Sequence, residues 1–118
     1  MARYEELTFD QGTDVAVEIH CINEDGSKKN FSNYNVAAKL KLNLNADSDN
    51  TIEFNAIIGN PATDGIINLS LTNTQTDALL PKKRYLYDVE VSFVDSDDAT
   101  IVERVLEGSV YINPSVTK

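Results

Sequence analysis

The chain has 118 residues and a formal net charge of −9, and hydrophobic residues make up 42% of it. This length and composition indicate one globular domain spanning residues 1–118 and exclude a disordered chain. The negative charge argues against nucleic acid or an anionic membrane as a partner, because both present negatively charged phosphate groups.

Alternating apolar and polar residues predict β-strands along the first part of the chain. Leu7 and Phe9 belong to a short first strand, which ends at residues 11–13. A second alternating run covers residues 15–21. The clearest pattern covers residues 36–44, where one face is apolar and the other carries two lysines that a helix would scatter around its circumference. We therefore predict strands in all three segments.

The middle of the chain combines strand patterns with polar connections. Residues 52–58 and 67–71 again place apolar side chains at every second position. Residues 27–35 form a polar connector that contains Phe31 and Tyr34. Turn-forming residues fill three segments, namely residues 23–26, 45–50 and 59–65.

One segment lacks strand alternation. Residues 73–80 follow a threonine that can cap a helix, and Leu79 and Leu80 can face inward. Pro81 ends the helical pattern. We predict one or two helical turns near residues 73–80 as a link between two strands.

The last third of the chain has the pattern of a β-hairpin. Residues 84–93 and 101–112 alternate, and the acidic segment 95–98 lies between them. Gly108 interrupts the second of these strands and predicts a bulge or a bend. The polar tail, residues 113–118, contains a proline that cannot continue a central strand.

These patterns together give seven or eight strands at the spacing typical of a β-sandwich. Strands and helices do not alternate along the sequence, which excludes a parallel α/β sheet. The predicted fold class is all-β, an antiparallel β-sandwich of seven or eight strands with one short helical link near residues 73–80.

The sequence contains one histidine and one cysteine, His20 and Cys21, which are neighbours on the second predicted strand. Their side chains should point to opposite faces, so they cannot act together as base and nucleophile. We expect Cys21 to be a small core residue and His20 to be solvated. They are too few for zinc, and a single cysteine forms no internal disulfide. We predict no catalytic, cofactor-binding or metal-binding residues, and no enzymatic activity.

Two acidic loops and two tyrosines have both functional and structural interpretations. The carboxylates of residues 47–50 and 95–98 are spaced to meet a calcium ion, but neither loop has the full pattern of an EF-hand. We interpret both loops as solvated hairpin tips. Tyr85 and Tyr87 open the penultimate strand, where a sandwich tyrosine often hydrogen-bonds back to the preceding connector. We expect that structural role and not ligand stacking.

Four segments carry a resemblance to a known group of proteins. They are residues 8–14, residues 64–72 with 75–79, residues 84–90, and residues 105–118. Their tyrosine strand, acidic hairpin, Glu-Gly pair and terminal Pro-x-Val-Thr-Lys sequence resemble small virion structural proteins of tailed bacteriophages, including cyanophages. They are also similar to the N-terminal domain of lactococcal phage upper baseplate proteins. The resemblance implies an immunoglobulin-like sandwich without catalytic residues.

The resemblance also implies a function and a location. We expect an attachment or adaptor module of the phage tail or baseplate, or alternatively a capsid decoration protein. Its partners would be other virion proteins, and it would form a symmetric homo-oligomer in the particle. Related sequences continue into longer fibre regions, so the end at Lys118 favours a small adaptor or decoration subunit. Residues 1–6 lack a signal-peptide pattern, and we expect a soluble protein assembled into virions in the host cytoplasm.

The sequence suggests where contacts would form. Residues 2–9 and 113–118 are extended terminal segments that could pair with a partner's sheet edge. A carbohydrate- or receptor-binding module is a further possibility and would need exposed aromatic rings, for which Tyr4, Tyr34 and Tyr111 are the candidates. An accessory domain of an enzyme is the third possibility.

Overall fold

A computed structural model describes residues 3–42 and 51–115. Within these ranges the chain forms eight strands, one 3-10 turn and one short α-helix. The strands are β1 (Arg3–Asp10), β2 (Val15–His20), β3 (Asn35–Lys41), β4 (Thr51–Glu53), β5 (Asn55–Ile58), β6 (Ile66–Leu71), β7 (Arg84–Val94) and β8 (Thr100–Asn113). The 3-10 turn covers Ala62–Asp64, and the helix α1 covers Asn73–Asp77.

The strands form two sheets that enclose the core. The larger sheet has the order β1-β8-β7-β3-β4, and the smaller has the order β2-β6-β5. Eight strands in two layers with one short helical link confirm the predicted all-β sandwich. The predicted loop at residues 45–50 lies outside the described residues, as does the end of the strand predicted to reach residue 44.

One strand pair departs from the antiparallel arrangement that was predicted. β1 runs parallel to β8, with Arg3 opposite Leu106 and Asp10 opposite Asn113. The other pairs are antiparallel. A tight hairpin imposes an antiparallel direction, but β1 and β8 lie at opposite ends of the sequence and no short turn joins them. Alternation therefore predicted the two strands but not their relative direction.

The core lies between the apolar faces of the two sheets. Along β7 the buried residues alternate with partly or fully exposed ones, as a period of two requires. The largest fully buried side chains include Phe31, Leu40, Ile67, Leu69, Leu79, Leu106 and Ile112. Burial of each such side chain contributes roughly 1.5–3 kcal/mol. Phe31 was expected in a polar connector, yet its side chain is 1% exposed and its N–H donates to the carbonyl of Ala62 at 3.0 Å.

The single strand predicted for residues 52–58 is divided between the two sheets. β4 pairs with β3 in the larger sheet, whereas β5 pairs with β6 in the smaller one. The chain crosses at Phe54, whose N–H donates to the carbonyl of Ala38 at 3.0 Å and whose ring packs edge-on against Phe9. Continuous alternation hides such a crossing, because the pattern shows which side chains are buried but not in which sheet.

The irregularity in β8 lies at Val105, not at Gly108 as predicted. Val89 pairs with Leu106, while the next residue of β7, Glu90, pairs with Arg104. Val105 is therefore the extra residue of a β-bulge. Gly108 continues the regular ladder and is required for another reason, since a Cβ built on it would lie 1.8 Å from the carbonyl oxygen of Glu5 in β1. The glycine permits close approach of β1 to β8.

The helix α1 begins with a capping box. The Thr72 hydroxyl accepts from the N–H of Gln75 at 3.2 Å, and the Gln75 side chain accepts from the N–H of Thr72 at 2.8 Å. These bonds satisfy two backbone donors that a helix start leaves unpaired. With five residues α1 is short, and within residues 3–42 and 51–115 no helix has the length and apolarity to cross a membrane.

Candidate functional site

The two residues with reactive side chains occupy separate environments. His20 is exposed, as predicted, and its Nε2 contacts the carboxylate of Glu18, which lies on the same face of β2. Cys21 was predicted to be a core residue and is half-buried at the edge of the core. Burial raises the pKa of the Cys21 thiol, although Arg3 and Lys29 oppose the shift. The thiol is therefore a poor nucleophile at neutral pH.

The acidic loop between β7 and β8 is a tight turn held by its own first carboxylate. The Asp95 side chain accepts from the N–H groups of Asp97 and Ala99, both at 2.9 Å. Asp98 has a left-handed backbone with φ of 60°. Within residues 3–42 and 51–115 no three His, Cys, Asp or Glu side chains are grouped to hold a metal ion. The second acidic loop, residues 47–50, lies outside the described residues.

The two tyrosines of β7 both bind the backbone, but only Tyr85 binds the preceding connector as predicted. The hydroxyl of Tyr85 accepts from the N–H of Leu80 at 2.9 Å and fixes the connector after α1. The hydroxyl of Tyr87 donates to the carbonyl of Glu5 at 3.0 Å and so joins β7 to β1 across β8. Burial, with a smaller contribution from the charge of Glu5, raises the pKa of Tyr87 to about 12.

The three rings expected to be exposed differ in their surroundings. Tyr4 is 62% exposed, as predicted. The prediction for Tyr34 was wrong, because its ring packs against Phe93 with a centroid distance of 4.7 Å. Tyr111 is half-buried, and the guanidinium of Arg84 lies 5.5 Å from its ring centroid. An aromatic surface for sugar binding is therefore reduced to one ring.

One concave surface of the described residues is a groove on the outer face of the larger sheet. It has a volume of about 650 Å³ and crosses β3, β7, β8 and β1. Period-two alternation produces it, because side chains alternate with the buried ones and project away from the core. Its lining includes Tyr4, Lys39, Lys41, Leu86, Asp88, Glu90, Arg104 and Glu107. Alternation predicted which side chains are exposed, but the groove depends on a strand order that the sequence did not reveal.

A charged cluster centred on Arg104 forms part of this groove. The guanidinium contacts the carboxylates of Asp88 at 3.4 Å, Glu90 at 3.8 Å and Glu107 at 3.2 Å. Arg104 and Glu107 are three residues apart and would face opposite sides of a regular strand. The extra residue Val105 brings both to the outer face. The groove is therefore polar, with one guanidinium among three carboxylates.

The terminal segments proposed as contacts are largely ordered within the fold. β1 pairs with β8 along its whole length and forms one edge of the larger sheet. Asn113 binds the Asp10 side chain at 3.0 Å, and the N–H of Ser115 donates to Gln11 at 3.3 Å. Residues 2 and 116–118 lie outside the described residues. β1 is thus an extended edge strand, as predicted, but it needs no partner to become ordered.

Comparisons with known proteins identify the fold. No protein family and no curated protein matches the sequence. The structure is similar to murine CRIg, with a TM-score of 0.52, 16% identity and coverage of 92% of both chains. It also matches AggA, the major subunit of aggregative adherence fimbriae type I of Escherichia coli, with a TM-score of 0.41, 10% identity and coverage of 92% of this chain and 89% of AggA.

A third match is a chain from the complex of ICOS with ICOS-L and an anti ICOS-L VNAR domain. Its TM-score is 0.42 and its identity 15%, and the match covers 97% of this chain and 56% of that one. At such identities the likeness concerns the fold alone. The protein is an all-β, immunoglobulin-like sandwich, as the sequence resemblance implied.

Proposed function

We propose that this protein is a non-enzymatic structural module that works by protein–protein contact through the outer face of its larger sheet. We further propose that its setting is the tail or baseplate of a tailed phage, with capsid decoration as the alternative. The observation that carries the proposal is the exposed grooved face itself, which combines exposed Tyr4 and Leu86 with fixed charges on central strands. Aromatic residues and arginine, here Tyr4 and Arg104, are enriched in contact surfaces.

The roles of the other side chains support a contact function over catalysis. The hydroxyls of Tyr85 and Tyr87 are engaged with backbone groups, and the Cys21 thiol is held in its protonated form by burial. The carboxylates of Asp88, Glu90 and Glu107 surround Arg104, which compensates part of their negative charge. Such groups recognise a partner by charge and shape without forming bonds.

The virion setting is supported by the sequence resemblance described above. It covers the β7–β8 hairpin and the sequence after Gly108, which are also the central elements of the larger sheet. A sugar-binding role has weaker support, because Tyr34 packs inward and Tyr111 is half-buried under Arg84.

Purified particles from infected cells test the setting. Quantitative mass spectrometry should find this chain in the particle. A small copy number in multiples of three or six would support the tail or baseplate, and hundreds of copies would support capsid decoration. Absence of the chain from intact particles would contradict the virion setting in either form.

Two matched variants test the contact face. Leu86 lies on the outer face of the larger sheet and is 39% exposed, while Ile57 faces outward from the smaller sheet and is 55% exposed. We expect Leu86→Asp to reduce incorporation into particles at least about tenfold, because a desolvated charge at an interface costs several kcal/mol. Ile57→Asp should be incorporated normally. The opposite result would show that the other face makes the contact.

A further inference from the structure

Only some of the lysine and arginine side chains of this acidic protein form ion pairs. Residues 3–42 and 51–115 contain nine lysines and arginines, and four of them form ion pairs there: Arg3, Lys28, Lys29 and Arg104. The other five form no ion pair within those residues. They are Lys39, Lys41, Lys82, Lys83 and Arg84, which we call the basic patch.

The basic patch lies at one end of the larger sheet. Lys39 and Lys41 project from the outer face of β3 towards its C-terminal end, where Lys41 pairs with Leu86 at the start of β7. Lys82 and Lys83 are exposed in the connector that leads directly into Arg84, the first residue of β7. Asp88, the carboxylate opposite Lys39, is engaged with Arg104. Glu53 of β4 lies opposite Lys39, whereas Lys41 lies opposite Thr51 and Leu86, and Arg84 lies opposite Tyr111, so positive charge is in excess at this end.

The opposite end of the same sheet carries the complementary surface. The turn between β7 and β8 contains Asp97 and Asp98, both exposed, and beside them Val94 and Val102 are 62% and 57% exposed. Val94 and Val102 share the outer face with Leu86, since the register of β7 and β8 places them there. We call these four residues the acidic tip.

The two surfaces are separated by the length of β7. The ten residue steps from Arg84 to Val94 span about 33 Å at about 3.3 Å per step, within a molecule whose longest extent is 50 Å. Two copies placed face to face and antiparallel would therefore bring each acidic tip onto the basic patch of the other. One two-fold axis makes both contacts together, so the arrangement closes at two subunits.

We propose that the outer face of the larger sheet binds a second copy of this chain as an antiparallel two-fold dimer, with each acidic tip on the partner's basic patch. The inference rests on the proposed function in assigning contact to this face. The five strands have 3 to 14 residues each, and at about 3.3 Å per residue and about 4.8 Å between strands they cover roughly 700 Å², close to the about 800 Å² per partner of a standard interface. Val94 and Val102 would meet the exposed side chain of Leu86, and charge complementarity sets the antiparallel direction.

Sedimentation velocity of the purified chain at about 0.1 M salt tests the dimer. The Debye length there is about 10 Å, so repulsion between distant parts of two negative molecules is screened while contacts in the interface persist. We expect the wild-type chain to sediment with twice the 13.0 kDa mass of one chain. A chain that stays monomeric up to about 1 mM would overturn the dimer.

Charge reversal tests which surfaces meet. Lys39→Glu, Lys41→Glu and Lys83→Glu together give the basic patch a net negative charge, so that both ends of the face are acidic. Asp97→Lys with Asp98→Asn makes the tip basic and keeps a residue that tolerates the left-handed backbone at position 98. Each variant changes both symmetric contacts, so its dissociation constant should rise at least about tenfold. An equimolar mixture of the two variants should form a heterodimer. The acidic tip of one variant then meets the unchanged basic patch of the other, and the reversed patch of the first meets the reversed tip of the second.

The mixture also controls for folding, because unfolded variants would not restore association. Glu24→Lys is the control for the tip variant, since it also adds positive charge but lies in the turn after β2, outside the larger sheet. It should leave the dimer unchanged. Dissociation by Glu24→Lys, persistence of the dimer in either reversal variant, or failure of the mixture would each overturn the proposal.

The outcome is separable from that of the proposed function. A dimer in solution with no chain in purified particles would refute the virion setting and leave the dimer standing. Incorporation into particles that depends on Leu86, combined with a monomeric purified chain, would support the contact face and refute the second copy as its occupant.

Discussion

Gly108 shows how one residue can be essential for a reason that its sequence context does not reveal. A glycine within a strand pattern predicts a bulge, a bend or a close approach, and these are indistinguishable without the neighbouring strand. Close approach is the reason here, because the carbonyl of Glu5 occupies the space that a Cβ at position 108 would need. The hydroxyl of Tyr87 then reaches that same carbonyl.

Gly108→Ala should therefore destabilise the fold. The added Cβ would meet backbone at 1.8 Å, and β1 would have to move away from β8. We expect the free energy of unfolding to fall by about 3 kcal/mol, at the upper end of the cost of overpacking, as measured by urea denaturation. Ser109→Ala, at the next position and on the other face of β8, should cost much less. Equal stability of the two variants would contradict the close approach.

At the scale of single elements, alternation predicted most strands because it depends on burial alone. The β7–β8 hairpin and β3 appear where the pattern placed them, apart from their ends. Alternation failed where burial is shared between sheets, as at Phe54, and where an extra residue reverses the pattern, as at Val105. It also failed for Tyr34, since polar neighbours in a connector do not reveal that an aromatic ring packs inward.

The position of the candidate groove could not be predicted from alternation either. The exposure of Lys39 and Lys41 followed directly from the pattern of β3. Their position beside β7 required the strand order, which depends on contacts between distant parts of the sequence. The hydrogen bond of Tyr85 was predictable, because it joins residues five apart through a corner that recurs in sandwiches.

The helix α1 offers a test of local stabilisation. Thr72→Ala removes the hydroxyl that accepts from the N–H of Gln75, and loss of such a cap typically costs about 1 kcal/mol. The expected result is a fall of that size in the free energy of unfolding, measured by thermal or urea denaturation. Thr74→Ala replaces the same type of residue inside the helix and should lower the free energy of unfolding by less. A larger loss for Thr74→Ala would refute the capping role.

At the scale of the whole molecule, the fold joins the two ends of the chain. β1 and β8 pair along eight residues, and the Tyr87 hydroxyl adds a bond from β7 to β1 across them. Such pairing closes a loop of nearly the whole sequence, so the larger sheet is complete only after the last strand has been added. The stability of this closure is linked to the protonation of Tyr87.

That linkage predicts a loss of stability in alkali. The pKa of Tyr87 is about 12 in the fold against an ordinary value of 10.0. Below pH 10 both folded and unfolded chains keep the proton. Between the two values the unfolded chain loses it while the folded chain keeps it, so the free energy of unfolding falls as pH rises.

Tyr87→Phe should be less stable than the wild type at neutral pH, by about 1 kcal/mol for the lost hydrogen bond. The difference in the free energy of unfolding between the two proteins should become smaller as the pH rises from 10 to about 12, because the variant has no hydroxyl to ionise. Urea denaturation at a series of pH values measures both effects. The control is Tyr111→Phe, which changes a ring that lies under Arg84. Its free energy of unfolding should still fall in alkali, because Tyr87 is unchanged. Parallel curves for wild type and Tyr87→Phe would contradict the linkage.

The parallel pairing of β1 with β8 has a practical consequence for labelling. It starts β1 at the level of Leu106, beside the groove. The end of β8 lies next to the basic patch, because Ile112 hydrogen-bonds to the backbone of Lys82 and Lys83. A tag fused at either end of the described chain would thus sit against a surface proposed for contact. The turn at residues 23–26 is the better insertion point, since nothing lies within 4 Å of a Cβ built on Gly26. A fluorophore or epitope there would leave the broad face unobstructed for imaging or pull-down.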